Sequence, residues 1–376
     1  MANAETAAAR AGEGAWHARL EAAARERLPR MVYDYFAGGA GDESTLADNC
    51  AAFGRLAIRP RVLCDVARRD LAVSVLGGQR LEMPVAVAPM AYHCLAHPDG
   101  ERASARAAGE LGTAFVLSTL ATTSLEEIAG VSRGPLWFQL YVFQDRGATR
   151  ALVERAVAAG ASALLVTVDA PILGRRPRDE RNRFALPDGM RLGNLERLAV
   201  AGLPTRVAGS QLAAHFRLLF DAGLAWDDLA WLRSLSPLPL VLKGILTAED
   251  ALLAAEHGAD AIVVSNHGAR QLDGAIATLD ALPEVTDAVG NDLEVWMDGG
   301  VRSGSDVVKA LALGARLVLV GRPVLWGLAT GGESGVVEVL TTLRDELDLA
   351  LALAGCATPA GLTRAHVVRR SDRRET

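Results

Sequence analysis

Residues 239–266, PLVLKGILTAEDALLAAEHGADAIVVSN, hold the reading that decides the fold. They open on a short, continuously apolar run (239–243), pass into an Ala- and Leu-rich stretch with helical character (247–257), and close on a second apolar, β-branched run (261–266). A run without polar alternation is buried on both faces, and two such runs separated by a helix describe parallel strands joined by a crossover. The unit recurs on either side. Runs at 84–88, 114–118, 136–141, 163–169, 294–298 and 317–321 bring the total to eight, with further helical patterns at 147–159 and 303–313. Eight strand–helix units predict an α/β fold, the (β/α)8 TIM barrel. An open doubly wound sheet would usually have fewer strands and a GxGxxG first turn, which is absent.

Outward from this core, residues 17–37 read as an amphipathic helix interrupted at Pro29, followed by the Gly-rich turn AGGAGDES at 37–44. The expected organisation is a single domain over 1–376: an N-terminal helical extension (1–82), a barrel (83–367) and a charged tail (368–376). The step from the fourth run to the fifth, 163 to 239, is more than twice any other. It predicts a long insertion after strand four, at the end of the barrel where lids and binding loops sit. The insertion holds the apolar pieces LAVAGLP and AAHFRLLF but is otherwise polar, which argues against a membrane anchor.

Composition narrows the function classes. Half of the residues are hydrophobic and 22% are charged, so a large core is available. The net charge of −6 argues against a general nucleic-acid or anionic-membrane binder. No apolar stretch of about 18 residues predicts a membrane span. The N-terminus lacks the apolar segment of a secretory signal, so the expected location is the cytoplasm. Cys50, Cys64, Cys94 and Cys356 are widely spaced and form no metal-binding pattern, so they are expected to be buried or idle thiols, and no metal is expected. Only two of the 39 basic Lys and Arg residues are lysines, Lys243 and Lys309. A position that keeps Lys against this bias calls for a compact ammonium rather than a planar guanidinium.

In a barrel the chemistry collects at the C-terminal ends of the strands. The polar residues there are Ser118; Gln139 and Tyr141; Thr167 and Asp169; Lys243; Ser265, His267 and Arg270; Asp298, Gly299, Gly300 and Arg302; and Gly321 and Arg322. The loops after strands seven and eight form the usual phosphate site, for which Gly299-Gly300 offers backbone N–H groups and Arg302 and Arg322 offer charge. Turn glycines and solvated arginines are the plainer reading of either pair alone. Lys243 ends an apolar strand and needs an anionic partner; a structural ion pair with Asp298 and stabilisation of charge developing on a ligand are the two readings. A lone histidine is more often structural than catalytic. His267, however, stands at a strand end with Asp169 two strands away to orient it, the arrangement of a general base. Arg270 beside it suits a carboxylate. Tyr35, in the helical stretch MVYDYF, either packs there or donates to a substrate.

The segments MVYDYF (31–36), AVAP (86–89), FQLYV (138–142), TVDAPILGRR (167–176), VLKG (241–244), SNHGARQLDG (265–274), MDGGVRSG (297–304) and GRP (321–323), in this order, resemble the FMN-dependent α-hydroxy acid oxidase/dehydrogenase family over roughly residues 20–367. The resemblance implies FMN as cofactor and a small 2-hydroxy acid as substrate. It implies that His267 takes a proton from the substrate, Asp169 pairs with the imidazolium, and Arg176 and Arg270 bind the carboxylate. Tyr35 and Tyr141 would hydrogen-bond the substrate, and Lys243 would stabilise the reduced flavin. Ala88, Pro89, Met90, Ser118, Gln139, Thr167 and Ser265 fall on the flavin side. Asp298 is expected at the ribityl chain, with Gly300, Arg302, Gly321 and Arg322 at the phosphate. The resemblance also implies a homotetramer and an S-configured substrate.

Three positions depart from the glycolate-oxidising members. Leu120 stands where they carry Trp, which enlarges one pocket wall and predicts an aromatic acid such as mandelate or 4-hydroxymandelate, oxidised with O2 reduced to H2O2. Phe36 replaces a Tyr, and Met90 replaces a Thr. The alternatives are a dehydrogenase with another electron acceptor, an oxidase of small aliphatic acids, a phosphate-binding barrel with isomerase or dehydratase chemistry, and a non-catalytic scaffold. The combination of His267, Arg270, Asp169 and Lys243 speaks against the last two.

Overall fold

The structure is a computed structural model that describes residues 15–196, 198 and 220–370. Its centre is a closed barrel of eight parallel strands: β4 (Val85–Val87), β5 (Phe115–Ser118), β6 (Leu136–Leu140), β7 (Ala163–Thr167), β8 (Leu240–Ile245), β9 (Ala261–Val264), β10 (Glu294–Asp298) and β11 (Leu317–Val320). They run round the barrel in chain order, and β11 pairs with β4 to close it. Each strand lies within one of the apolar runs or overlaps it, because both faces of every strand are covered. One face fills the barrel with residues such as Ala86, Val116, Leu165, Val241 and Leu319. The other meets the surrounding helices.

The helices form where the sequence has good formers and caps. The Ser303 side chain accepts from Asp306 N, and Asp306 bonds back, closing a capping box ahead of the helix Gly304–Ala312. Asp145 and Thr247 cap the helices Arg146–Ala158 and Ala248–Glu256. On the helix Gly304–Ala312, Lys309 donates to Phe53 O at 2.8 Å, tying it to the end of the N-terminal helix Ser44–Gly54.

The N-terminal extension contains the two expected helical pieces, Trp16–Arg27 and Arg30–Ala37, with Pro29 as the break between them. A third helix, Ser44–Gly54, follows, and short strands come after it. β1 (Leu56–Ile58) pairs with β12 (Val367–Arg369) near the C-terminus, and β2 (Val73–Val75) and β3 (Gln79–Leu81) form a hairpin. Its two central turn residues, Leu76 and Gly77, both have positive φ, and Gly78 N bonds Val75 O, the mirror-image turn that matches strand twist. Val75 and Leu81 are fully buried with Trp137 and Trp296, whose rings stack at 4.9 Å, so the hairpin plugs the N-terminal end of the barrel. Glu294 accepts from Leu76 N, and Gln79 accepts from Trp137 Nε1.

After β7 the chain forms a short helix, Pro177–Asn182, and the described chain resumes at Phe220, ahead of the helix Asp228–Ser234. Nearly all of LAVAGLP and AAHFRLLF, and most of the charged tail, fall outside the described residues. Among the described residues no helix is long and apolar enough to cross a membrane. Cys50 and Cys64 are exposed rather than buried, whereas Cys356 is buried.

Candidate active site

The C-terminal ends of the strands surround a cavity of about 500 Å³. His267 stands at its edge on a turn in which three successive residues, His267, Gly268 and Ala269, have φ near +60°. Two of them are non-glycine, and such strain persists only where the surroundings hold it. The surroundings here are hydrogen bonds. Ser265 Oγ accepts from His267 N, and Asn266 Oδ1 accepts from Ala269 N. Asn266 also exchanges amide hydrogen bonds with Asn49, a buried residue of the N-terminal helix.

The imidazole is fixed at both nitrogens. Nδ1 is 2.8 Å from Asp169 Oδ1, and Nε2 is 3.3 Å from the Tyr141 hydroxyl. Asp169 reaches this position because the β8 residue opposite is Gly244; a Cβ there would come within 2.6 Å of the Asp169 Cβ. Burial holds His267 below its ordinary pKa; Asp169 pulls the other way, and Lys243 and Arg176 add to the depression. Burial alone would raise Asp169, but the adjoining imidazole and Lys243 outweigh it and keep the carboxyl low. With Nδ1–H donated to Asp169, Nε2 presents a lone pair, so the group is a base ready at neutral pH.

Lys243 is almost fully buried and forms the expected pair with Asp298, Nζ to Oδ2 at 2.9 Å, with Ser265 Oγ at the same distance. Burial would lower its pKa, but Asp298 and Asp169 outweigh that and keep the ammonium charged. Asp298 Oδ1 is buried without a partner among the described residues, and a buried oxygen of this kind is costly unless a ligand donates to it. On the adjoining strands, Ser118 donates to Gln139, and Gln139 donates to Thr167 Oγ1 at 2.9 Å, a polar row along one wall.

Besides Arg175, which pairs with Glu180, four arginines line the same cavity: Arg176, Arg270, Arg302 and Arg322. None of them makes an ion pair with a carboxylate among the described residues. Arg270 donates to Tyr35 O and Gly38 O, and Arg322 donates to the carbonyls of Phe36, Gly38 and Gly268. Burial, with Arg270 and Arg302 nearby, pulls Arg322 down to about 9. Half-buried cations whose hydrogen bonds go to carbonyls, with the Asp179 carboxylate near Arg176 and Arg270, are a receptor for anions. Arg302 comes from the loop after β10, and Arg322 opens the helix Arg322–Ala354 that follows β11. Beside them Gly300 has φ of 78°, and a Cβ would come within 2.0 Å of Asn49 O, so only glycine fits. The cavity, the unpaired Asp298 oxygen and this cationic end fit a flavin mononucleotide.

The remaining expected residues, Tyr35, Ala88, Pro89, Met90, Leu120 and Gly321, also line the cavity. Two do not. Asp169 stands behind His267. Ser265 is fully buried, and its hydroxyl accepts from Lys243 Nζ and from the His267 amide. Tyr35 is buried in its helix and lines the cavity, stacked on Phe184 at 4.1 Å.

Sequence reasoning missed Tyr92, Phe184 and Asp179, which line the same cavity. Tyr92 and Phe184 lie 5.5 Å and 4.1 Å from the Tyr35 ring centroid and form an aromatic wall with it. Tyr92 follows the first barrel strand in a left-handed conformation, and Phe184 lies in the insertion; neither falls on a periodic pattern.

The family model for FMN-dependent dehydrogenases matches residues 24–369. An L-lactate oxidase of Nostoc sp. is 56% identical over 341 residues, covering 90% of this chain and 93% of the relative. Glycolate oxidase 5 of Oryza sativa subsp. japonica is 50% identical over 353 residues, covering 94% and 95%. A crystal structure of mandelate oxidase with (S)-4-hydroxymandelic acid superposes with a TM-score of 0.88 at 46% identity, covering 93% of this chain and 97% of that one.

Proposed function

The chain belongs to the FMN-dependent dehydrogenase family, as an FMN enzyme that oxidises 2-hydroxy acids, and from that premise we propose that its substrate is an (S)-2-hydroxy acid with an aromatic side chain, mandelate or 4-hydroxymandelate, oxidised to the 2-oxo acid with O2 as acceptor and H2O2 as product. The observation that carries the chemistry is His267, oriented by Asp169, in a cavity lined by two arginines that make no ion pair among the described residues.

Arg176 and Arg270 hold the substrate carboxylate, and the neutral phenols of Tyr141 and Tyr35, both kept above their ordinary pKa by burial, donate hydrogen bonds. His267 Nε2 takes the proton, from Cα or from the hydroxyl, and Asp169 stabilises the imidazolium that results. FMN supplies the electron acceptance that no side chain provides. Ala88, Pro89, Met90, Ser118, Gln139 and Thr167 hold its ring side, Lys243 offers positive charge there, Asp298 takes the ribityl chain, and Gly300, Gly321, Arg302 and Arg322 take the phosphate.

The aromatic preference is supported by Leu120 and by the wall of Tyr35, Tyr92 and Phe184. The likeness to a mandelate oxidase agrees with it. The 56% identity to an L-lactate oxidase favours a second reading, a small aliphatic acid. The test is the visible spectrum of the flavoprotein during anaerobic addition of (S)-4-hydroxymandelate, then air. Bleaching that recovers in air with H2O2 is expected. Bleaching that persists in air transfers the assignment to a dehydrogenase, and bleaching by lactate alone transfers it to the aliphatic reading.

A further inference from the structure

Phe220 resumes the described chain after the insertion and is clamped to the loop that follows β6. It bridges Phe143 in antiparallel fashion, Asp221 N bonds Val142 O at 2.9 Å, and Gln144 Nε2 donates to Phe220 O. Arg146 locks the next turn by pairing with Asp221 and Asp228 and lying over the Trp231 ring at 4.4 Å. The Phe220 ring is buried. It stacks on Tyr141 at 4.4 Å and 21°, and it meets Phe143 edge-on at 5.7 Å. On the other side, Tyr141 lies 6.4 Å from His267, with planes 19° apart. Three near-parallel rings therefore run from the end of the insertion to the base.

We infer that Phe220 is a positioning residue: by stacking on Tyr141 it sets the plane of that phenol and keeps its hydroxyl within reach of His267 Nε2. A tyrosine ring free to swing about its side-chain torsions would carry its hydroxyl away from the reacting centre, and small displacements there are costly in rate. The inference rests on the reading of Tyr141 as a substrate-contacting group.

The experiment is a double-mutant cycle on the FMN-loaded enzyme, with the rate of anaerobic flavin reduction at saturating substrate as readout. The substrate is whichever 2-hydroxy acid the wild type oxidises. Phe220→Leu keeps an apolar side chain but loses the stacking face, and is expected to slow reduction about three- to tenfold. Phe220→Tyr, which keeps the ring, is expected to stay near wild type and guards against a folding artefact. In a Tyr141→Phe background the hydroxyl is gone, and Phe220→Leu is expected to have no further effect. Equal slowing in both backgrounds, or no slowing in either, overturns the positioning role. A normal Tyr141→Phe overturns the reading of Tyr141 as well, which separates the two failures.

Discussion

At His267 a single backbone turn decides the chemistry. The imidazole sits where its carboxylate partner raises its pKa while burial lowers it, and burial wins. A base must be neutral to act, so kcat/KM is expected to be full at neutral pH and to fall as pH drops through the folded pKa, which lies below the ordinary value of about 6.5. Asp169→Asn removes the group that raises that pKa. The acid limb should move to lower pH, while the rate falls about 10²- to 10⁴-fold because the imidazolium loses its support. A pH profile of kcat/KM checks both, and an unmoved limb removes Asp169 from this role. At Leu120 the expectation concerns specificity. Leu120→Trp refills the enlarged wall and should shift the mandelate-to-lactate ratio of kcat/KM toward lactate by about 10- to 200-fold, the range a small change in an apolar pocket commands. An unchanged ratio would mean that Leu120 does not meet the side chain of the substrate.

At the scale of elements, the hairpin of β2 and β3 behaves as a plug. Leu81→Ala opens a void beneath the two stacked tryptophans and should cost about 2–5 kcal/mol, read from the urea midpoint, with kcat unchanged because the active site lies at the opposite end. A large fall in kcat would show that the two ends of the barrel are coupled. The hairpin also shows which elements were legible. The eight barrel strands could be read because burial on both faces leaves uninterrupted apolar runs, and their terminal polar residues followed directly: His267, Lys243, Asp298 and the arginines. β2 and β3 are three-residue strands with mixed burial, such as exposed Ser74 and buried Val75, too short to show a period. Tyr92, Phe184 and Phe220 were missed for a related reason. Their roles come from ring contacts made across the fold, and nothing in the local spacing announces them. Ser265 is legible as a strand-end residue, but its hydrogen bonds to Lys243 and the His267 amide are not.

At the scale of the whole molecule, the unpaired cations of the cavity link folding to cofactor loading. FMN binds only the folded barrel, so the flavin-free protein should melt lower. The difference should be about 2.7 kcal/mol at a flavin concentration a hundredfold above Kd, measured as a rise of Tm on titration with FMN. An Arg322→Gln variant should need more FMN for the same rise; identical curves would move the phosphate elsewhere. The scarcity of lysine has another consequence. Lys243 is 4% exposed, and the Lys309 side chain is 13% exposed and spends a proton on Phe53 O. The outer surface therefore presents arginine as its cation and no freely exposed lysine amine. A reagent selective for lysine amines over the exposed thiols of Cys50 and Cys64 should label neither lysine readily, and loss of activity under such a reagent would report entry through the mouth of the barrel to Lys243. FMN in place should close that route, so the rate of inactivation becomes a gauge of how much of a preparation carries its flavin.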